Sequence, residues 1–236
     1  MATLVDIAGS ILSQSTRRVE IYAQNIANGA TSGYKRRVAF ESFEALVGKG
    51  ENISSLPSNI QSAPDFLAGK LVETGNPLDL AIVGDGFFAL RGPSGLVLSR
   101  QGQFQRDAGG RLVTPGGLAL QADGGGDLIA PAGPLTIARD GVVMVEGEPV
   151  DRLALVDAPH AALRAGEGGV FSVAEADMAS LVAPVVRQGA YEASNVSTGQ
   201  EMVAMMEALR RAETGQRLVT VYDDLMGRAL TTLGQV

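Results

Sequence analysis

The chain contains no cysteine. A disulfide framework, a thiolate zinc site and a cysteine nucleophile are therefore excluded, while the compartment stays open. Tryptophan is also absent and aromatics make up only 5% of the residues, so a core has to be built from Leu, Val, Ile and Ala. There is one histidine, His160, in Asp157-Ala158-Pro159-His160. General acid–base work needs a positioned partner, and a lone loop histidine without one reads as solvated surface. No Gly-x-Ser-x-Gly elbow, His-Glu-x-x-His pair or phosphate-binding loop occurs. Val47-Gly48-Lys49-Gly50 lacks the upstream glycine and the hydroxyl residue of such a loop. Asp123-Gly124-Gly125-Gly126-Asp127 lacks the alternating ligands and closing Glu of a calcium loop, and reads as a flexible turn. The chain is therefore expected not to be an enzyme, and to need no cofactor, metal or small-molecule substrate.

An excess of positive charge is missing too. The net charge is −7, which argues against a nucleic-acid binder. No apolar stretch approaches the roughly 18–20 residues of a membrane span, so no membrane insertion is expected. The N-terminus shows no basic segment followed by an apolar run of about 7–15 residues, so no cleaved secretory signal is expected. That implies a cytoplasmic protein unless a signal-independent route exports it.

What is present is order by position. Leu4, Ala8, Ile11, Ser15, Val19, Tyr22 and Ile26 recur three or four apart, as do Met202, Met206 and Leu209, then Leu218, Tyr222, Leu225, Ala229 and Leu233. Both sets read as helical stripes. A helix cannot bury its stripe alone, so the two ends are expected to pair with each other, with neighbouring subunits, or both. Residues 1–40 carry five basic residues to two acidic ones, and residues 189–236 four to six, a difference in sign that favours their association. The first helix is expected over about 3–28, ended by Asn28-Gly29, and the last is expected to open at Ser197-Thr198, where Glu201 suggests a capping box.

The middle of the chain is different. Thirty glycines and ten prolines lie mostly among short Val/Leu/Ile-rich runs. Val38–Val47 is ambiguous between strand and helix, and 48–65 reads as irregular or mobile. In Leu78–Val83 the residues Leu78, Leu80 and Ile82 share one face; Gly84-Asp85-Gly86 is a turn; Phe87 and Phe88 then point to opposite faces. Strands are expected at 96–100, 103–106, 111–114, 117–121, 134–138, 142–146, 149–157 and 169–174, with a hairpin at Asp140-Gly141 and an extended run at 181–190. The expected fold class is α+β with a mainly β centre. Terminal helices at 1–30 and 195–236 pair as a coiled-coil-like layer. Connecting regions at 31–75 and 181–194 lead to an inserted antiparallel β domain at 76–180.

Three local blocks carry a resemblance. The first is Gln24-Asn25-Ile26-Ala27-Asn28 with Thr31-Ser32-Gly33-Tyr34-Lys35-Arg36. The second is Thr74-Gly75-Asn76-Pro77-Leu78-Asp79-Leu80-Ala81-Ile82 with Gly84-Asp85-Gly86-Phe87-Phe88. The third is Gly189, Glu192, Ser194-Asn195-Val196, Glu201-Met202 and Arg210. Their order and content resemble bacterial flagellar rod and hook proteins. Ser32 stands where the family often has Pro, which leaves that turn less pre-set. The resemblance implies a structural subunit of the flagellar basal-body rod in the periplasmic space, polymerised through its terminal helices into the axial tube that transmits torque. It implies export, unfolded and without a cleaved signal, by the flagellar type III apparatus, and neighbouring proximal- and distal-rod subunits as partners. Length and the single compact insertion fit the proximal rod, with the distal rod as the close alternative.

Roles follow for single residues. Leu4, Ile11, Val19, Tyr22, Ile26, Met202, Met206, Leu209, Leu218, Tyr222, Leu225 and Leu233 are expected at assembly interfaces. Asn25, Asn28 and Asn195 are expected to cap helix ends and fix where each arm turns. Lys35-Arg36-Arg37 reads as a subunit contact, Met202, Met205 and Met206 as helix core, and Phe87 and Phe88 as anchors of the β domain. Before assembly the arms have nothing to cover them and are expected to be mobile, ordering on docking. Two other classes compete: a soluble β-rich enzyme or ligand-binding module with a helical hairpin, and a helical adaptor that dimerises and stops. The first would need a pocket with converging polar groups.

Overall fold

A computed structural model describes residues 4–41, 60–93 and 95–233. The fold is α+β. It divides into two compact units, and the chain passes between them four times. One unit holds residues up to Ala27, Arg37–Pro64 and everything from Ser197; the other holds Asn28–Arg36 and Asp65–Val196.

In the first unit α1 (Leu4–Ala27) packs along α2 (Thr198–Leu233). They run antiparallel: Asn25, near the end of α1, bonds to Glu201, near the start of α2, and Gly215 lies against Ala8 to Leu12. The seam on α2 is Glu201, Met205, Ala208, Ala212, Gly215, Val219 and Tyr222, all buried or half-buried. The steps alternate four and three, the 3.5-residue repeat of a coiled coil. On α1 the closest positions are Ala8, Ser15, Ile21 and Asn25, with Ile11, Leu12, Val19, Tyr22 and Ile26 half-buried.

This corrects the expected C-terminal stripe. Met202, Met206, Leu209, Leu218 and Leu225 are exposed, so the methionines at 202 and 206 are not core and Met205 is only half-buried. The cause is spacing and size. Leu209 and Leu218 are nine residues apart, about two and a half turns, and so lie on opposite sides of the helix. The seam is lined instead by small residues that let the two backbones approach. A Cβ on Gly215 would sit 3.3 Å from the Ala8 carbonyl oxygen and 3.3 Å from Ile11 Cγ2. The arms are also not uncovered, because each helix covers one face of the other.

Strand Arg37–Glu41 pairs antiparallel with Ile60–Pro64, Val38 opposite Ala63 and Phe40 opposite Gln61. The ambiguous run from Val38 is thus a strand at its start, and the run expected to be irregular ends in a strand, because Ile60 has a buried position to fill. Residues 42–59, including Val47-Gly48-Lys49-Gly50, lie outside the described residues.

The second unit is antiparallel β throughout its described pairings. Its largest sheet centres on Phe87–Gly92, flanked by Gly95–Ser99 and Ala119–Leu120. Alternation along Phe87–Gly92 builds two cores. Phe88 and Leu90 join Leu112, Leu120, Leu128 and Val143; Phe87 and Ala89 join Leu98, Leu163 and Phe171. Both phenylalanines meet other rings edge-on, Phe88 with Phe104 at 5.5 Å and Phe87 with Phe171 at 5.7 Å. They anchor the unit on opposite faces, as the alternation predicts. The hairpin through Asp140-Gly141 joins Leu135–Ile137 to Val142–Val145. The expected single strand at 149–157 splits into Glu148–Arg152 and Leu155–Asp157, which join different sheets. Glu148–Arg152 is an edge strand, and its proline and charges suit an edge that must not pair further. The glycine turn at 123–127 is pinned at one end, because Asp127 accepts from Gln121 at 2.8 Å and from Arg111 at 3.4 Å.

Gly215→Ala should be close to neutral, since its tight Cβ contacts offset a gain in helix propensity of about 1 kcal/mol. Gly215→Leu should destabilise the helix pair by about 1–3 kcal/mol or more through overpacking. Far-UV circular dichroism melts with protease digestion of α1 check both; equal melts for the Leu variant and the parent would disprove the close seam.

Candidate assembly interface

The blocks singled out from sequence meet inside the β unit, around one carboxylate. Glu192 ends strand Ala190–Glu192 and is 3% exposed. Its Oε1 accepts from Lys35 Nζ at 2.7 Å and from the Gly69 amide at 2.7 Å. Its Oε2 lies 3.4 Å from Arg100 Nη1, and its backbone carbonyl accepts from the Gly33 amide at 2.7 Å. Arg100 also donates to the carbonyls of Ile82 at 3.2 Å and Gly84 at 2.5 Å, and its guanidinium stands 5.5 Å from the Phe87 ring centroid. Lys35 donates a second bond to the Leu67 carbonyl at 3.0 Å.

Lys35 is therefore not an exposed subunit contact, as its basic neighbours suggested, but a buried partner. Burial pulls its ammonium below the ordinary lysine value, and the hydrogen bond and charge of Glu192 pull it back up. Arg100 is lowered in the same way by burial and raised by Glu192, Asp85 and Asp157. Gly33 has to be glycine. Its φ is +66°, and a Cβ there would lie 2.2 Å from the Arg100 carbonyl carbon.

The other motif residues shape turns around this hub. Thr74 Oγ1 donates to Asp79 Oδ2 at 2.6 Å, Asn76 Nδ2 donates to Asp79 Oδ1 at 3.1 Å, and the Leu78 amide donates to Asn76 Oδ1 at 3.2 Å across Pro77. Asp79 in turn accepts the Gly189 amide through its carbonyl at 2.8 Å. Gly84 and Gly86 hold the turn into Phe87. Asn195 does not cap a helix. Its Oδ1 accepts the Arg36 amide at 2.6 Å, and its Nδ2 donates to the carbonyls of Asp65 at 2.8 Å and Leu67 at 3.0 Å. Next to it the Val196 amide bonds Ser194 Oγ at 3.2 Å.

In the helical unit Asn25 has a similar role. It is fully buried, grips Arg37 through both the amide and the carbonyl at 2.8 Å, and donates to Glu201 Oε2 at 2.9 Å. The side chain thus ties α1 to the hairpin and to α2, which is more than the expected cap. Glu201, read from sequence as a capping partner, is buried at the same contact. Asn28 accepts from Thr31 in the turn that follows α1. Ile11, Val19, Ile26 and Tyr22 line the seam side of α1, and Tyr222 the seam side of α2. Leu4 and Leu233 stand at the helix ends.

What remains outward on α2 forms two apolar flanks. Met202, Met206 and Leu209 lie on one, Leu218, Val221 and Leu225 on the other, all between 40% and 57% exposed. The sequence marked Glu192 as a motif residue and Glu201 as a capping partner without showing that both are buried, and it gave no role to the seam of Ala208, Ala212 and Gly215. The steps of three and four between those small residues were a usable signal. A surface cavity of the β unit, about 590 Å³, is bordered by Asp85, Asp157, Asp177 and His160. The His160 ring stacks on Phe66 at 4.1 Å, and no hydrogen bond joins it to a carboxylate among the described residues.

Comparison with known proteins gives a consistent result. Residues 81–145 match the family described as flagellar hook protein FlgE/F/G D1 domain, and residues 187–232 the family described as flagellar basal body rod FlgEFG protein C-terminal. The chain is 31% identical to the flagellar basal-body rod protein FlgF of Mesorhizobium japonicum over 230 residues, 92% of each chain. It is 30% identical to the rod protein FlgG of Agrobacterium fabrum over 255 residues, covering 93% of this chain and 95% of that one. FlgF of Escherichia coli is 29% identical over 236 residues, 92% of each.

Removing Glu192 would leave two buried cations without their carboxylate. Glu192→Ala should cost about 3–5 kcal/mol, and Lys35→Met distinctly less because Glu192 keeps Arg100 and the Gly69 amide as partners. Urea denaturation of the two variants measures the difference; an Ala variant as stable as the parent would remove the hub from the account.

Proposed function

The chain belongs to the family of flagellar basal-body rod proteins, and we propose that the two exposed apolar flanks of α2 are the surfaces through which it joins its neighbours. It is a structural subunit of the basal-body rod, assembling with other rod components. The observation that carries the proposal is the outward placement of Met202, Met206 and Leu209, and of Leu218, Val221 and Leu225, on a helix whose inner face is already filled by α1. Contiguous exposed apolar side chains mark interaction sites. Two different flanks on one helix suit heterologous contact, the geometry that propagates a helical tube instead of closing a dimer. The β unit, with its own cores and an edge strand that carries proline and charges, would set the tube's outer radius.

Our reading is a place in the proximal rod, as a FlgF-type subunit, with the distal rod as the alternative; the chain is 31% identical to the Mesorhizobium FlgF and 30% identical to the Agrobacterium FlgG. Neighbouring proximal- and distal-rod subunits and passage through the flagellar type III export apparatus complete the reading. The axial tube would transmit torque through the same contacts that hold it together. No observation favours a ligand-binding module or an enzyme.

Leu209→Asp places a charge on an exposed position, so the thermal melt should match the parent. Incorporation into isolated basal bodies should be abolished. Normal incorporation of this variant would rule out the helical-flank mechanism.

A further inference from the structure

One turn from Gly215 the seam between α1 and α2 opens into a groove of about 290 Å³, lined by Ile11, Gln14, Ser15, Arg18, Arg211 and Thr214. Ile11 and the carbon stems of the polar side chains make most of the wall surface apolar, and both charged residues are cations. Arg18 donates to Glu41 at 3.2 Å through one guanidinium nitrogen. Arg211 is exposed and has no ion pair among the described residues. The groove thus offers an apolar slot between two guanidinium groups.

A matching element lies farther along the same helix. α2 has 36 residues and α1 has 24, and the start of α2 stands beside the end of α1. The last dozen residues of α2 therefore have no described α1 residue opposite them, an overhang of about 18 Å at 1.5 Å per residue. Every described side chain from Asp223 onward is exposed. The overhang begins Asp223-Asp224-Leu225: two carboxylates with no ion pair among the described residues, then a leucine 57% exposed. A helix end of this length is marginal in water unless something covers it.

We propose that the overhang of one copy seats in the α1–α2 groove of a second copy, with Leu225 against Ile11 and the acidic pair against Arg18 and Arg211. The proposal rests on the reading of this chain as a rod subunit and narrows that reading to one contact. Charge and shape both select the match: an acidic pair followed by an apolar side chain meets a cationic rim around an apolar slot. Groove and overhang lie about 18 Å apart along α2. The patch that gives is therefore not the patch that receives, and each copy leaves one of each free for the next.

Charge exchange in the full-length chain tests the pairing, read as the amount of chain in isolated basal bodies. Arg211→Asp and Asp224→Arg should each lower incorporation about tenfold or more, the size of a lost charge pair. The two substitutions together should restore it to within about twofold of the parent. Circular dichroism on each purified variant confirms that the exposed substitutions leave the helices formed. If the single variants incorporate like the parent, the contact is wrong while the rod reading stands. If the singles fail and the double variant fails equally, the overhang and the groove meet other partners and the pairing between copies is overturned. Absence of the unaltered chain from basal bodies would instead overturn the rod reading itself.

Discussion

The close approach of α1 and α2 governs the rest of the molecule. Two helices whose seam carries Ala8, Ser15, Ala208, Ala212 and Gly215 approach so closely that a Cβ on Gly215 would sit 3.3 Å from the Ala8 carbonyl oxygen. That approach leaves no room for a large side chain at this point of the seam. Met202, Met206, Leu209, Leu218, Val221 and Leu225 of α2 are turned outward, where they stay in water in the isolated chain. A seam built from large residues would have made a more self-sufficient hairpin with a polar outside. The small seam trades internal burial for an external apolar surface, which suits a subunit meant to polymerise.

The polar contacts follow a different rule. Asn25 with Glu201, and Glu192 with Lys35 and Arg100, are buried groups whose partners come from segments far apart in the chain. Burying such groups is expensive, and the return in net stability is modest. Their effect is geometric. Asn25 accepts and donates on the backbone of one residue, Arg37, and Asn195 holds the backbone of Arg36 from the returning strand. Adjacent residues are thus held by two asparagines more than 150 positions apart in sequence, each within its own compact unit. Any slip in register would leave a charge or an amide unpaired, so the outgoing and returning segments have one low-energy alignment.

The family motifs can be understood in these terms. Gly33 is required by the carbonyl of Arg100, Asn76 and Asp79 build a turn from their own side chains, and Asn195 replaces missing backbone partners. Gly33 and Asp79 are buried and Asn195 half-buried, while Asn76 is exposed but has both polar atoms of its side chain engaged in the turn. They maintain a frame, while the exposed apolar flanks of α2 carry no motif of comparable sharpness. This separation explains why the family was legible from short blocks and the interface was not.

The sequence by itself determined the helical ends, the antiparallel β centre, the opposed faces of Phe87 and Phe88, and the family. Each of these rests on local information: residue periodicity, turn chemistry, and short motifs in a set order. Only the tertiary structure decided which side of α2 faces inward, that Lys35 is buried against Glu192, and that Asn25 and Asn195 clamp backbone instead of capping helices. The reason is physical. Periodicity shows that a helix has an apolar side, but where small residues permit close packing, the buried side is chosen by the partner's backbone. The charge state and role of a buried lysine likewise depend on a carboxylate 157 residues away, which no local pattern announces.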